Sequence, residues 1–430
     1  MEFISIQEAI KQGKGKVALR GWVYRERGSN ALKFVVLRDS SNIIQCVFEK
    51  EKFSDEEWKS IDKISIESSL KIWGELKKDE RAPTGYELHV DKFKIQQLAE
   101  KFPITKDQSA EFLFDVRHLA IRSRKLTAVM KIRSTVFGAI QEFFRSRSYY
   151  EMAPPIFTPN ACEGGSTLFE VKYYKEKVYL TQSWQLYAEA AIFALEKIFC
   201  ISPCFRSEKS KTTRHLSEFW MAEVETAWME FPELQKQAED LIAHIVKKVL
   251  EFNKEDLKIL ERDISKLEKI KTPFPRMTYA EVLKLLKEKE KVSIDWGKDL
   301  RTIEEDLIMK RFDRPLIVTN YPKDIMAFYK PKDPKDPKTA LCMDILAPEG
   351  YGEIIGGSQR DIDLEELKKS LKKEGEKVSN YEWYLDARRY GSIPHSGFGL
   401  GVERVVSWIC GLDNIKDAIP FPRTMLRFKP

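Results

Sequence analysis

Cysteine is sparse in this chain and dispersed. Of six in 430 residues (Cys46, Cys162, Cys200, Cys204, Cys342 and Cys410), only Cys200 and Cys204 lie close together, in CISPC. That pair lacks a second Cys or His pair at zinc-ligand spacing, so buried free thiols are expected, and neither a structural zinc nor a disulfide framework. No run approaches the roughly 18 apolar residues that cross a bilayer as a helix. The opening MEFISIQEAIKQGKGKV has no long apolar segment of the secretory kind. A soluble, cytoplasmic protein with no membrane partner is the expectation. Internal repeats are missing too, which excludes a solenoid. Charge of one sign is only mildly in excess, +6 overall. That value is compatible with a nucleic-acid partner but too weak to identify one, and no DNA partner is expected.

What the chain does contain is patterned in two ways. Over its first hundred residues, β-branched and apolar residues alternate in KVALRGWVYR, ALKFVVLRDS, NIIQCVFEK, LKIWGELKK and GYELHVDKFKI, broken by RGSN, DSSN and RAPTG. Five short strands of this kind predict a small closed barrel of the OB type over residues 1–100, a fold whose open face takes single-stranded nucleic acid. A polar linker with Pro103 occupies 101–125. Residues 126–430 carry mixed strands and helices. One helical pattern runs from Leu126 to Arg147 and is stopped by Pro154 and Pro155. Another runs near Pro232 to Phe252, a Lys/Glu-rich helical stretch lies between Lys254 and Lys271, and a helix starts near Gly399. KPKDPKDPKTA, from Lys330, reads as a solvated turn between strands. The predicted fold class is α+β, a barrel followed by a larger sheet-and-helix domain.

Three segments concentrate groups suited to chemistry. CFRSEKSKTTRHLSEFWMAEVE runs a strand with Arg206 and Glu208 into a polar loop and returns through Arg214, His215 and Phe219. Guanidinium forks suit phosphates, and a carboxylate and a ring suit a base; alone, the segment reads equally as a surface hairpin with salt bridges. GSIPHSGFGLGVERVVSWICGL places Gly397, Gly399 and Gly401 where a strand feeds a helix, with Arg404 in that helix's first turns. Glycines there allow a ligand close to the backbone, although the spacing is neither a dinucleotide fingerprint nor a P-loop. MDILAPEGYGEIIGGSQRD offers Asp344 and Glu353 on neighbouring strands. Such a pair suits Mg²⁺ held together with substrate phosphates, and also describes ordinary surface acids.

Together the three segments resemble motif 2, motif 3 and the Mg²⁺ strand of the class II aminoacyl-tRNA synthetases, and the resemblance spans nearly the whole chain. SYYEMAPPIFTP is similar to motif 1, with Pro155 at the motif's proline, which implies a homodimer. NACEGGSTLFEV resembles the flipping loop of the aspartate-like subgroup IIb, with Glu163 where the substrate ammonium is met. GWVYRERGSNALKFVVLRDSSNIIQCVFEK is similar to that subgroup's anticodon-binding barrel. This resemblance puts Phe34 where a ring stacks on the middle anticodon base, Gln45 where a side chain reads that base's edge, and Glu87 beside the first base. It further implies ATP and an amino acid as substrates, with Arg206 on the α-phosphate and the amino-acid carboxylate and Glu208 on the adenine amino group. Phe219 and Arg404 would sandwich the adenine, while Arg404, Arg214 and His215 steady the γ-phosphate and Asp344 and Glu353 carry Mg²⁺. Arg206 and Arg404 are the catalytic residues it implies.

The amino acid is chosen by what surrounds TQSWQLYAEAAIFALE, where the resemblance assigns Ser183, Gln185 and Ala188 to the amino-acid pocket. The aspartate-specific members carry a lysine at the position of Ala188, and that ammonium is missing here. Arg360, in GGSQR, and Glu223, in EFWMAE, then offer a guanidinium to a carbonyl and a carboxylate to an NH₂ group, which suits an amide. A substrate carboxylate about 4 Å from Glu223 would meet repulsion of roughly 4 kcal/mol at an effective dielectric near 20. A site built on such paired contacts discriminates on the order of 10⁴. SGFGLGVERVVSWICGL and GEIIGGSQR likewise resemble the archaeal-type, asparagine-specific members, so L-asparagine and tRNA(Asn) are the expected substrate and partner. Trp184 departs from the pattern, which has Gly or Pro there.

Overall fold

Strand β1 (Gly15–Gly28) is long enough to serve two neighbours. Its first half pairs antiparallel with one strand and its second half with β2 (Leu32–Arg38). With β3 (Ile43–Glu49), β4 (Ser69–Lys78), the first-half partner, and β5 (Tyr86–Gln97), it closes a barrel in the order β1-β2-β3-β5-β4. Alternate residues fill the interior, among them Val17, Leu19, Val35, Leu37, Ile44, Cys46, Phe48, Ile72 and Leu88. Helices Ile6–Gln12 and Asp55–Asp62 add Ile6, Trp58 and Ile61 to that core, and each opens with a capping box, Ser5 with Glu8 and Ser54 with Glu57. The computed structural model describes residues 1–162, 167–209 and 212–429. It divides into two units, Met1–Leu113, which contains the barrel, and Phe114–Pro430.

In the second unit the strands are β6 (Tyr150–Glu151), β7 (Phe157–Thr158), β8 (Glu170–Tyr173), β9 (Glu176–Leu180), β10 (Lys197–Phe205), β11 (Glu218–Ala227), β12 (Arg276–Thr278), β13 (Leu316–Thr319), β14 (Cys342–Ala347), β15 (Gly352–Gln359) and β16 (His395–Gly401). Eight of them form one sheet in the order β12-β13-β14-β15-β16-β11-β10-β6; the other three form a small sheet, β7-β9-β8. The large sheet is antiparallel from β13 to β10 and parallel at its two outer pairs.

One face of this sheet is covered by helices. The helix Arg124–Arg145 contributes Ile132, Val136, Ile140 and Phe144, and the helix Phe231–Phe252 contributes Leu234, Leu241, Ile245 and Val249, to a core shared with Ala222, Val224, Phe398 and Leu400 of the sheet. On β11 the even-numbered Ala222 and Val224 therefore face the core, and the odd-numbered Phe219, Met221, Glu223 and Glu225 face away from it. The Lys/Glu-rich stretch forms two short helices, Lys254–Ile259 and Ile264–Glu268. The helix expected near Gly399 starts at Val402, because Gly397 and Gly399 are drawn into β16 by pairing with both β11 and β15. Glu403 anchors that helix: it pairs with Arg133 at 2.7 Å and accepts from the Trp220 backbone at 2.9 Å. Among the described residues no helix is long and apolar enough to cross a membrane.

Candidate active site

The opposite face of the large sheet, flanked by the helix Gln185–Leu195 against β10 and β11 and by the helix Thr302–Met309 against β14 and β15, carries two adjoining cavities. The first, about 110 Å³, is lined by Arg206, Glu208, Arg214, His215, Phe219, Glu353 and Arg404. Strand β10 ends at Phe205, before Arg206 and Glu208 that the sequence pattern put on it, so both stand at the start of the loop. The Arg206 backbone still bonds to the Ser217 carbonyl at 3.0 Å, which keeps the hairpin closed. The guanidinium of Arg206 lies 5.4 Å over the Phe219 ring. Glu208 sits 3.6 Å from His215, whose imidazole is pushed below its ordinary range, chiefly by burial. Arg214 bonds to both oxygens of Asp306, at 2.9 and 3.1 Å, and to the Gly350 carbonyl. Arg404 reaches across to β15, to the Glu353 carbonyl at 2.7 Å and its carboxylate at 3.1 Å.

The second cavity, about 340 Å³, is lined by Ser183, Gln185, Ala188, Glu223 and Arg360, and shares Arg206, Met221, Glu353 and Gly399 with the first. The structure thus brings together all the assigned ATP and amino-acid residues except Glu163, which lies outside the described residues. Arg360 and Glu223 both line this cavity, and within the protein the guanidinium of Arg360 is paired with Glu225, a residue the sequence reading did not single out. Arg360 donates through Nε at 3.0 Å and Nη2 at 2.8 Å to the Glu225 carboxylate, and through Nη1 to Ser358 Oγ at 3.0 Å. Glu223, on the same face of β11, accepts from Ser183 Oγ and from the Trp184 backbone at 3.3 Å. Trp184 itself is buried in a cluster with Ala188, Ile192, Ile198 and Cys200, where an indole fills the space beside the small alanine.

Behind Arg360 lies a buried network with no counterpart in the sequence reading. Glu189 accepts from Gln185 at 2.9 Å, Tyr384 at 2.9 Å and Arg388, and lies 3.1 Å from His395 Nε2. Burial alone would push the Glu189 carboxyl up, but Arg388, His395 and Arg360 outweigh it and hold the group well below the usual carboxylate range. Gly397 borders this network on β16. A Cβ there would stand 2.1 Å from Glu225 Oε2 and 2.6 Å from Arg360 Nη2, so only glycine leaves the pair intact.

At the junction of the cavities three carboxylates crowd together. Asp344 is partly buried and its carboxyl is pushed up to about 7, first by burial and then by the charge of Glu353. Glu305, on the helix Thr302–Met309, is pushed up to about 8 by burial and by Glu353 and Asp344, with Arg404 and Arg214 pulling the other way. Mutual repulsion among hard oxygen donors is the electrostatic setting that a divalent cation relieves. Among the described residues no three His, Cys, Asp or Glu side chains form a ligand set by themselves. Lys330 and Asp299 line the same cavity and were also missed.

On the barrel, Gln45 and Glu87 are paired across β3 and β5. Gln45 Nε2 donates to Glu87 at 3.1 Å; Glu87 in turn meets His89 at 2.8 Å, and His89 meets Glu49 at 2.7 Å. Phe34 lies on the adjoining β2, where Arg27 stands 5.0 Å over its ring.

Comparison with known proteins identifies a family for each part of the chain. Residues 109–425 match the family described as tRNA synthetases class II (D, K and N), and residues 17–96 match that of the OB-fold nucleic acid binding domain. The chain is 50% identical to the asparagine–tRNA ligase of Thermoplasma acidophilum over 415 residues, 96% of each chain. With the asparagine–tRNA ligase of Pyrococcus horikoshii it shares 45% identity over 434 residues, 100% of each chain. Its fold is similar to the crystal structure of asparaginyl-tRNA synthetase from Pyrococcus horikoshii complexed with asparaginyl-adenylate, with a TM-score of 0.96 and 45% identity over 100% of both chains.

Proposed function

The chain belongs to the class II tRNA synthetases (D, K and N), and from that premise we propose how its two adjoining cavities serve an asparagine–tRNA ligase. L-Asparagine is activated with ATP to asparaginyl-adenylate and pyrophosphate, and the asparaginyl group then passes to the 3′-terminal adenosine of tRNA(Asn). In the first step a carboxylate oxygen of asparagine attacks the α-phosphorus, and the bond to the β-phosphate oxygen breaks. In the second a ribose hydroxyl attacks the acyl carbon and AMP leaves. No protein nucleophile is needed; the chain's contribution is orientation and neutralisation of charge.

The smaller cavity is the ATP subsite, with Arg206 on the α-phosphate, Glu208 on the adenine amino group, and Phe219 and Arg404 on either side of the base. Arg214 and His215 attend the γ-phosphate. The larger cavity holds the amino acid against Ser183, Gln185, Glu223 and Arg360. The observation that carries the substrate assignment is the Arg360–Glu225 pair at 2.8 Å beside the small, buried Ala188. The guanidinium's charge is already met by the protein, so it offers hydrogen bonds to a neutral carboxamide without attracting an anion. Exchange of labelled pyrophosphate into ATP with asparagine and with aspartate, before any tRNA is added, tests this. Asparagine-dependent exchange is expected, with aspartate at least 10²-fold poorer; comparable exchange with aspartate would overturn it.

Asp344 and Glu353 would hold Mg²⁺, which would relieve their mutual repulsion and supply charge neutralisation for the nucleotide's phosphates. The anticodon is read at Phe34, Gln45 and Glu87. A homodimer is supported by apolar surface around Pro155, where Tyr150, Ile156 and Phe157 are exposed. Light scattering at micromolar concentration should give twice the chain mass, and a monomer would contradict it. A cytoplasmic location goes with this reading, because charging needs tRNA and ATP together.

A further inference from the structure

We propose that the barrel carries a second RNA-binding wall, formed by the outer faces of β1, β4 and the second half of β5, which holds the sugar-phosphate backbone and a base of the same tRNA. The inference rests on the reading of the chain as a tRNA-charging enzyme and adds a contact surface to it.

Register sets the rows of this wall. Arg20 pairs with Lys71 across β1 and β4, and Lys71 and Trp73 pair with Lys94 and Lys92 across β4 and β5. Phe3, bridged to Ala18, brings its ring 5.3 Å from that of Trp73. Arg20 and Lys71 each stand 5.6 Å over the Phe3 ring, and Lys92 stands 5.6 Å over Trp73. Cations and rings are therefore interleaved, and Arg20, Lys71, Lys92 and Lys94 form no ion pair among the described residues; Lys16, nearby, is paired with Asp91 at 3.8 Å. Trp22 leaves 48% of its surface exposed beside a hollow of about 450 Å³ lined by Phe3, Arg20, Lys71 and Gln96. The one acid lining the hollow, Asp39, spends its carboxylate on the backbone N–H groups of Ile6, Ser41 and Asn42.

Unneutralised cations held beside an open indole fit a polyanion that also offers flat rings, which describes an RNA strand. A second copy of the chain fits poorly, because a twofold contact would set this basic wall against itself. The wall is also continuous with the Gln45–Glu87 face. Strand β5 carries Glu87 in its first half and Lys92 five residues on, about 17 Å at strand rise, so a strand leaving the anticodon face along β5 meets these cations after a few nucleotides.

The test is tRNA binding by the full-length chain, with a fluorescent tRNA(Asn) transcript titrated between 50 and 200 mM salt. Reversing charge with Arg20→Glu and Lys71→Glu should weaken binding at least tenfold and lower the slope of log affinity against log salt by about 1.5. Trp22→Ala should weaken binding about tenfold and leave the slope alone, and the charge-conserving Arg20→Lys with Lys71→Arg should retain wild-type affinity. If the double reversal melts early, Lys92→Glu on exposed β5 supplies the charge test. Wild-type affinity and slope in the charge-reversed chains would overturn the proposal, as would a charge reversal that changes only the oligomeric mass by light scattering. A wild-type chain that binds no tRNA would instead overturn the parent reading, and this wall with it.

Discussion

Glu225 is the residue on which the substrate assignment turns. It offsets the charge of Arg360 without removing its donors, so a neutral variant leaves the guanidinium facing the substrate with only Glu189, 4.0 Å away and shared with Arg388 and His395, to meet its charge. Glu225→Gln is expected to lower asparagine-dependent exchange and to cut the asparagine-to-aspartate ratio of kcat/KM at least tenfold; an unchanged ratio would mean that selectivity resides elsewhere. The period-2 rule could have found this residue, since Glu223 and Glu225 in EVE share one face of β11. Resemblance directed attention to the first of the two. No local signal could have found Glu189 with Arg388 and His395, because partners 199 and 206 residues apart meet only through the fold. Arg206, Glu208, Arg214, His215 and Phe219 of the ATP cavity were legible for the opposite reason: they lie between β10 and β11, one hairpin, and hairpins bring sequence neighbours together.

Among the elements, the helix Thr302–Met309 carries an electrostatic liability into the site. Glu305, held near 8 against an ordinary value of 4.5, keeps a proton in the folded chain that the unfolded chain has lost. Between those values the unfolded state binds fewer protons than the native state, so stability falls as pH rises through the window. Glu305→Gln should therefore raise the melting temperature of the ligand-free protein at pH 8, by roughly 2 °C or more, and leave it unchanged near pH 4. Melting curves at the two pH values check the sign, and equal shifts at both would refute it. Legibility at this scale followed locality as well. The long helices Arg124–Arg145 and Phe231–Phe252 and the five barrel strands announce themselves by period. The order of the eight-stranded sheet does not, because β11 lies between β10, joined to it by one hairpin, and β16, more than 160 residues away along the chain.

Over the whole molecule, the proposed reading assigns chemistry and anticodon recognition to separate units, Phe114–Pro430 and Met1–Leu113 respectively. Every residue assigned to ATP and asparagine belongs to the second, and every anticodon candidate to the first. Deleting residues 1–113 should leave asparagine-dependent pyrophosphate exchange within a few-fold of wild type and reduce tRNA charging by at least 10². Loss of both activities together, with the melting transition retained, would show that the barrel takes part in adenylate formation.

The wall common to the two cavities, built from Arg206, Met221, Glu353 and Gly399, has a consequence for inhibitor design. Two fragments, one seated in each cavity, would lie close enough to be joined by a short, non-hydrolysable bridge. Joining them makes the second binding event intramolecular, at an effective concentration in the millimolar range or above. A tethered nucleoside and carboxamide should then bind far more tightly than either half alone, and its selectivity would come from the carboxamide end.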